Sequence, residues 1–177
     1  MQEPSPEVIR AAAAGDLGAF EQLMRSYQAH VWRFLRHLVG DERLAEDVTQ
    51  ETFLRVHRSL HTFGFRSKFS TWLFRIARNA GIDALRARQR RDLVLRQLPA
   101  PRPVSDGSAA VEVTVALASL STKLREAFVL VEVFGLTYRE AGDALGIPQG
   151  TVKSRVFTAR ARLVTWMAAG EERSGEM

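Results

Sequence analysis

The chain has 177 residues, of which 46% are hydrophobic and 25% are charged, as is typical of one soluble domain or two small ones. It contains no cysteine, which excludes disulfides, thiolate catalysis and cysteine-ligated zinc. The formal net charge of +5 suits a polyanionic partner such as nucleic acid, and it suits equally a basic protein that is merely soluble.

The first predicted element is an amphipathic helix that begins after the cap residue Asp16 and ends near Gly40. Apolar side chains recur between Phe20 and Leu38 at spacings of three and four residues. That period places them on one face of a helix. The segment therefore predicts a helix that packs against neighbours in a bundle.

A second helix is predicted from the cap residue Asp41 to about Leu60. Its inner face carries Ala45, Val48, Thr52, Val56 and Leu60. Its outer face carries Asp47, Gln50, Glu51, Leu54, Arg55 and Arg58. Glu51 and Arg55 form a pair four residues apart that is ordinary on a solvated helix face. An exposed leucine among these charges favours a protein partner instead, and both interpretations remain open at this point.

A third helix is predicted from the cap residue Ser70 to about Arg90. Its polar face carries Arg75, Asn79, Asp83 and Arg86. Four arginines lie between residues 86 and 91, which is more than the favourable interaction with the negative end of the helix dipole requires. The cluster therefore favours contact with phosphates.

The loop that precedes this helix, residues 61–69, interleaves aromatic and basic side chains. Such a mixture suits stacking on unpaired bases, with arginine and lysine holding the phosphates. Phe69 and Trp72 can instead pack beneath the loop as part of the core. The sequence alone leaves both interpretations open.

Prolines and small polar residues predict a flexible linker over residues 92–112. The stretch contains Pro99, Pro101 and Pro103, followed by residues 105–108 with the sequence Ser-Asp-Gly-Ser. Stretches of this composition rarely build a packed element. The chain is therefore predicted to be all-α, with one small helical domain over residues 10–91 and a second over residues 113–170.

The second domain is predicted to open with a helix from about Ser121 to Phe134, and then to form a helix-turn-helix. Thr137 and Glu140 have the spacing of a capping box. Gly142 would allow two helices to cross closely, Gly146 would make the turn, and Pro148 would begin the next helix. The inward face of that helix would carry Val152, Val156, Ala159 and Leu163.

The second helix of this unit presents polar and basic side chains near its N-terminus, namely Gln149, Thr151, Lys153, Ser154 and Arg155. These residue types hydrogen-bond base edges and phosphates, and a recognition helix contacts DNA with its N-terminal residues. A plain helical hairpin with a basic surface is the alternative. The capping box, the glycine turn and the basic helix occur together, and this combination favours DNA binding.

Four stretches of the chain resemble a known family. They are residues 41–53 (DERLAEDVTQETF), 68–79 (KFSTWLFRIARN), 136–140 (LTYRE) and 145–155 (LGIPQGTVKSR). In this order and spacing they are similar to the extracytoplasmic function (ECF) sigma factors, the smallest members of the main bacterial sigma family. The resemblance covers about residues 15–165, with the first domain similar to sigma region two and the second to region four.

The resemblance implies three sets of binding residues. A polymerase-binding set would dock on the clamp helices of the polymerase β′ subunit: Asp47, Gln50, Glu51, Leu54 and Arg55. A −10 set would read and open the −10 promoter element: Lys68, Phe69, Ser70, Trp72, Arg75, Arg78, Asn79 and Asp83. A −35 set would read the −35 element in the major groove: Tyr138, Arg139, Gln149, Thr151, Lys153, Ser154 and Arg155.

The resemblance also implies the partners, which are core RNA polymerase through its β′ clamp helices and β flap, promoter DNA, and an anti-sigma factor that covers the same surfaces. The linker would thread toward the polymerase active-site channel. Two departures from the family stand out. Family members often carry an Arg-Gly-acid sequence where this chain has Gly64, Phe65 and Arg66, and Gly142 stands where alanine is usual.

Two other functions fit the sequence less well. A stand-alone helix-turn-helix regulator would need a sensor or receiver domain with strands, and none is predicted. An enzyme acting on nucleic acid would need a metal site or a nucleophile with a base, and neither constellation is found. The four histidines lack metal-ligand spacing, no apolar run reaches roughly 20 residues, and no signal segment is seen. We therefore expect a cytoplasmic protein without catalytic residues, metal, cofactor, small-molecule substrate or direct membrane insertion.

Overall fold

Eight α-helices make up the part of the chain that this computed structural model describes, residues 2–94 and 109–174. The first four are α1 (Pro6–Ala13), α2 (Leu17–Val39), α3 (Glu42–Ser59) and α4 (Phe69–Val94). The last four are α5 (Ala109–Ser119), α6 (Thr122–Phe128), α7 (Tyr138–Leu145) and α8 (Gln149–Ser174). A 3-10 turn, Leu60–Thr62, follows α3, and a π-helical turn, Val129–Val133, follows α6. No strand occurs in these ranges, and the all-α prediction is confirmed.

The ends of α2 and α3 lie where the sequence predicts them. The Asp16 carboxylate accepts a hydrogen bond from the backbone N–H of Ala19 at 2.9 Å, and the Asp41 carboxylate accepts one from Leu44 at 2.9 Å. Each bond satisfies a donor that has no partner within its helix. Gly40 ends α2 with φ at 72°, the left-handed conformation that glycine adopts without strain.

The start of α4 differs from the prediction, because Ser70 is not its cap. The helix begins one residue earlier, at Phe69, and Ser70 lies in its first turn. The backbone N–H of Ser70 donates to the Glu3 carboxylate at 3.3 Å, so a residue far away in sequence serves this helix end. The same N-terminal segment is held by the Tyr27 hydroxyl, which donates to the Gln2 carbonyl at 2.8 Å.

Helix α1 was not among the predicted elements. Pro6 occupies its first position, where the missing N–H costs nothing. Ile9 and Ala12 are buried against the rest of the first domain, in which α1 packs on α2. The segment before Asp16 is therefore an ordered part of this domain.

The core of the first domain lies between α2, α3 and α4. The inner face of the helix predicted over residues 41–60 is buried along its whole length: Ala45, Val48, Thr52 and Val56 in α3, and Leu60 in the 3-10 turn. Helices α2 and α4 approach closely at Gly81, where an added Cβ would lie 2.8 Å from the Leu38 side chain.

The second domain contains the predicted helix-turn-helix as α7 and α8. Both bonds of the capping box between Thr137 and Glu140 are present, and Gly146 ends α7 with φ at 68°. A Cβ on Gly142 would lie 2.7 Å from the Ile147 carbonyl oxygen, so the close crossing is confirmed. The predicted inner face of α8 is buried or packed on the core: Val152, Val156, Ala159 and Leu163.

Two predicted elements of the second domain have different bounds. The single helix expected over residues 121–134 is α6 followed by the π-helical turn. Pro148 lies one residue before α8, where its carbonyl accepts from the backbone N–H groups of Thr151 and Val152. Of the predicted linker, residues 92–94 belong to α4 and residues 109–112 belong to α5. The flexibility of the linker was predicted from the composition of residues 95–108, and these lie outside the described residues.

The two domains contact one another. The ring of Phe134, which follows the π-helical turn, lies 5.1 Å from that of Phe74 and 6.2 Å from that of Phe34, measured between centroids. The Arg125 guanidinium donates to the Leu38 carbonyl at 3.0 Å. These contacts bring the second domain onto α2 and α4, beside the predicted −10 set.

Candidate polymerase- and promoter-binding surfaces

The polymerase-binding set lies along one side of α3. Asp47, Gln50 and Leu54 are exposed, and 53% of the Leu54 surface is accessible. Arg55 donates to Glu51 at 2.7 Å and to Asp83 on α4 at 3.0 Å. Hydrogen bonds to these two carboxylates raise the pKa of the Arg55 guanidinium, so it stays charged. Asp83, assigned to the −10 set, is thereby linked to the polymerase-binding set.

An apolar groove of about 530 Å³ adjoins this set, between α2 and α3. It is lined mainly by Leu17, Phe20, Met24, Phe53 and Leu54. The Leu17 side chain is 72% exposed. Sequence reasoning missed the groove because the spacing of Phe20 and Met24 assigned them to the core face. The signal available in the sequence was an apolar residue, Leu17, directly after the helix cap Asp16.

The aromatic loop divides into buried and exposed rings. Phe63 and Phe69 are buried, Trp72 is half-buried against both of them, and Phe65 is exposed. Phe69 therefore belongs to the core, as one of the two interpretations proposed. Ser70 is also buried. Phe69 and Ser70 lie beneath the loop and shape the surface that a strand of DNA would meet.

The cations of the −10 set face the second domain. Arg75 donates to the backbone carbonyl of Asp143 on α7 at 2.7 and 3.0 Å, and Lys68 pairs with Glu140 at 2.7 Å. Arg78 pairs with Glu126 of α6 at 2.9 Å. Asn79, one turn further along the same face, is exposed. In this arrangement the three cations contact the protein itself.

Glu126 is the buried centre of an ion-pair triad. It is 1% exposed, and it accepts from Arg78 of the −10 set at 2.9 Å and from Arg155 of the −35 set at 3.3 Å. A buried carboxylate needs such partners to offset its lost hydration. Sequence reasoning missed Glu126, since no local pattern distinguishes it from an acid on a solvated helix face.

The contact between Glu140 and Lys68 is charged on both sides at neutral pH. Burial alone would raise the pKa of the Glu140 carboxyl, but hydrogen bonds from Lys68 and Thr137 outweigh it and hold the pKa below its ordinary value. The same hydrogen bond raises the pKa of Lys68. Glu140 therefore serves two contacts at once, the cap of α7 and an ion pair with the first domain.

The −35 set lies at the start of α7 and over the first turns of α8. Gln149, Lys153, Ser154 and Arg139 are exposed. Tyr138, Thr151 and Arg155 are partly buried, the last held by Glu126. The N-terminal turns of α8 thus present donors and acceptors to solvent, as a helix entering a major groove must.

Comparison with known proteins agrees with this geometry. Residues 23–91 match the family profile Sigma-70 region 2, and residues 110–163 match Sigma-70, region 4. The ECF RNA polymerase sigma factor SigC of Mycobacterium tuberculosis is 38% identical over 161 residues, which cover 87% of this chain and 86% of that protein. This chain belongs to the ECF sigma factors.

Other relatives support the assignment of this sigma factor. SigE of Mycolicibacterium smegmatis, also an ECF RNA polymerase sigma factor, is 36% identical over 94% of this chain and 70% of its own length.

As a sigma factor, the chain binds core RNA polymerase and directs promoter-specific initiation of transcription. The stand-alone regulator is not favoured. Sigma factors are not enzymes. Within residues 2–94 and 109–174 no helix has the length and apolarity needed to cross a membrane.

Two solved structures are similar to this sigma factor over both domains. The structure of CnrH in complex with the cytosolic domain of CnrY has a TM-score of 0.73 and 29% identity, covering 92% of this chain and 96% of that one. The sigma factor RpoE in complex with the anti-sigma factor NepR from Bartonella quintana has a TM-score of 0.74 and 30% identity, covering 84% and 96%. Since one superposition spans both domains, their mutual arrangement is similar as well.

Proposed function

We propose that the three residue sets divide the work of initiation between them. The polymerase-binding set and the adjoining groove dock on the clamp helices of β′. The −10 set opens the −10 element, and the −35 set reads the −35 element. The observation that carries this division is the position of α8, whose N-terminal polar residues are exposed while its inner face is buried in the second domain.

Strand opening by the −10 set is driven by binding energy. Separating the strands costs base pairing and stacking, and contacts to the exposed bases and phosphates offset that cost. Arg75, Arg78 and Lys68 supply the positive charge for the phosphates. Asn79 is exposed on the same face, where its amide can donate to and accept from a base edge.

Promoter recognition requires the two domains to separate. Arg75, Arg78 and Lys68 cannot contact phosphates while they contact Asp143, Glu126 and Glu140 of the second domain. Docking on polymerase would hold the domains apart at the distance between the two promoter elements.

The arrangement in which the two domains contact one another, called the closed form here, also suits inhibition of the protein. CnrH is solved with the cytosolic domain of CnrY, and RpoE with the anti-sigma factor NepR. By this similarity, an anti-sigma factor holds the present chain inactive by binding the closed form. The protein acts in the cytoplasm, where polymerase and promoter DNA are found, and it needs neither a cofactor nor catalytic residues.

Run-off transcription with purified core polymerase on a library of promoter fragments tests this function. Specific transcripts are expected only when the chain is added, and they give the promoter sequence directly. If the folded, inhibitor-free chain stimulates no transcript, the sigma function is wrong.

Substitutions then separate the residue sets. Asn79→Ala is expected to reduce opening of the −10 element and to leave polymerase binding intact, and loss of polymerase binding would contradict its assignment. Lys153→Ala is expected to weaken promoter binding, because it removes a cation from the recognition helix. Arg25→Ala is the matched control, since Arg25 is an exposed cation of α2 that pairs with Glu21 and belongs to none of the three sets.

A further inference from the structure

The start of α4 depends on a residue from a distant part of the chain. The backbone N–H of Ser70, in the first turn of this helix, donates to the Glu3 carboxylate at 3.3 Å. Ser70 is buried and Glu3 is half-buried, so water has little access to this bond. Such an N–H has no partner within its own helix, and a carboxylate there also interacts favourably with the positive end of the helix dipole. Glu3 therefore stabilises the turn at which α4 begins.

That turn carries much of the −10 set. Lys68 directly precedes α4, and three further members of the set lie within residues 69–72 at its start. The hydrogen bond to Glu140 raises the pKa of the Lys68 ammonium, and the charge of Glu3 raises it further. Glu140 belongs to the second domain and would leave with it when the domains separate. Glu3 belongs to the first domain, so it stays beside the −10 set in the separated form.

Glu3 is held in place by the segment to which it belongs, residues 2–13. The Tyr27 hydroxyl donates to the Gln2 carbonyl at 2.8 Å, and the Tyr27 ring packs edge-on against that of Phe69, 5.4 Å away between centroids. On the other side of Glu3, helix α1 buries Ile9 against the first domain. The segment lies outside residues 23–91, which match region 2, and the match therefore gives it no role.

We propose that Glu3 is a positioning residue for the −10 element, which fixes the first turn of α4 so that the −10 set meets the opened strand in one arrangement. The assignment rests on the proposed function and adds to it a residue that belongs to none of the three sets. Glu3 does not bind DNA, because its carboxylate would repel the phosphates. It acts through the backbone of Ser70, and residues 2–13 act with it as one unit.

Removal of this carboxylate has two effects of opposite sign. Loss of a negative charge near DNA strengthens binding electrostatically. Loss of the bond to Ser70 frees the first turn of α4, which must then be ordered when DNA binds, so binding weakens. A charge that touches no phosphate is largely screened beyond about 10 Å at 0.1 M salt, whereas the loss of a helix cap is not screened. We therefore expect the weakening to prevail.

The test uses holoenzyme made from core polymerase and the full chain, on the promoter found by run-off transcription. Fluorescence anisotropy compares two labelled probes, the single non-template strand with the −10 element and a duplex with the −35 element alone. Glu3→Ala is expected to weaken binding of the single strand about fivefold, the usual effect of losing a helix cap, and to leave binding of the −35 duplex unchanged. Open complexes, measured by permanganate reactivity of unpaired thymines, should fall by a similar factor.

Two further variants separate position from charge. Glu7→Ala is the matched control, because Glu7 is an exposed acid of α1 in the same segment. It removes the same charge and is expected to bind both probes like the wild type. Tyr27→Phe removes the hydroxyl that holds Gln2 and keeps the ring on Phe69. It is expected to weaken binding of the single strand by a smaller factor and to have no further effect in the Glu3→Ala background.

Failure of this assignment is distinct from failure of the sigma function. If the wild type drives transcription and Glu3→Ala binds the single strand equally well or more tightly, the positioning role is overturned. Equal losses on both probes overturn it too, since they would reflect a general loss of folded protein. Additive losses from Tyr27→Phe and Glu3→Ala would overturn the action of residues 2–13 as one unit. If the wild type drives no transcription, the sigma function fails and the positioning role fails with it.

Discussion

At the scale of single residues, Glu126 has the greatest consequence for the arrangement of the molecule. Its carboxylate is buried, and each of its two arginine partners keeps some contact with solvent. Removing one member of a buried ion pair leaves charge that neither water nor protein compensates fully. Arg78 and Arg155 would then be drawn toward solvent, and the contact between the domains would weaken.

We expect Glu126→Gln to lower the free energy of unfolding by about 3 kcal/mol, near the lower bound for breaking a buried pair because both arginines are partly exposed. Urea unfolding followed by circular dichroism measures this change. Glu21→Gln is the matched control, because Glu21 pairs with Arg25 on the surface and such pairs contribute only about 0.5 kcal/mol. Equal losses in the two variants would contradict a special role for Glu126.

His37 makes stability depend on pH. Burial lowers the pKa of its imidazole, and the charges of Arg33 and Arg36 lower it further. Its Nδ1 atom has no hydrogen-bond partner within the part of the chain described. A lowered pKa in the folded state means that the unfolded chain takes up the proton first as pH falls. The contribution of neutral His37 is therefore complete above its ordinary pKa of 6.5 and is lost as pH falls through the lower folded value.

The melting temperature of the wild type is accordingly expected to fall between pH 7 and pH 5 more steeply than that of His37→Gln. Differential scanning calorimetry over this range gives both slopes. Parallel slopes would show that neutral His37 contributes nothing to stability there.

At the scale of helices and turns, local signals predicted some elements and missed others. The bounds of α2 and α3 were predictable because Asp16, Asp41 and Gly40 lie next to the ends that they stabilise. The start of α4 was predicted wrongly, because the carboxylate that serves it belongs to Glu3, 67 residues away from Ser70 in sequence. Helix α1 was missed because it is short, with only eight residues.

The cap of α7 gives a test at this scale. Thr137 Oγ1 accepts from the Glu140 backbone N–H at 3.2 Å, and Glu140 accepts from the Thr137 backbone N–H at 2.8 Å. Thr137→Ala is expected to cost about 1 kcal/mol of stability, the usual effect of losing an N-cap. Thr137→Ser keeps the hydroxyl and should remain near the wild type in urea unfolding. Equal losses of stability in both variants would mean that the threonine methyl group, and not the hydrogen bond of the cap, stabilises the fold.

At the scale of the whole molecule, the two domains were predictable but their mutual contact was not. The family motifs predicted each residue set separately. The contact between the two domains depends on hydrogen bonds between residues far apart in sequence. Arg78 and Glu126 are 48 positions apart, and Arg75 and Asp143 are 68 positions apart. No periodicity or short motif in a sequence records such pairings.

Opening of the domains can be measured directly, because the chain has no cysteine and accepts labels at chosen sites. Cysteines introduced at the exposed positions Arg58 and Thr158 place one dye on each domain. Energy transfer is expected to decrease when core polymerase is added, as the domains separate. Glu126→Gln is expected to lower the transfer in the free chain as well. Unchanged transfer on polymerase binding would contradict the need for separation.

The contact between Lys68 and Glu140 gives ionic strength two opposing effects on this protein. Added salt screens this partly exposed pair, which favours release of the cations of the −10 set from the second domain. Salt also weakens their attraction to DNA, because counterions released on binding gain less entropy when they enter a more concentrated salt solution. Promoter association by the free chain should therefore pass through a maximum at intermediate salt, whereas permanently exposed cations would only lose affinity as salt rises.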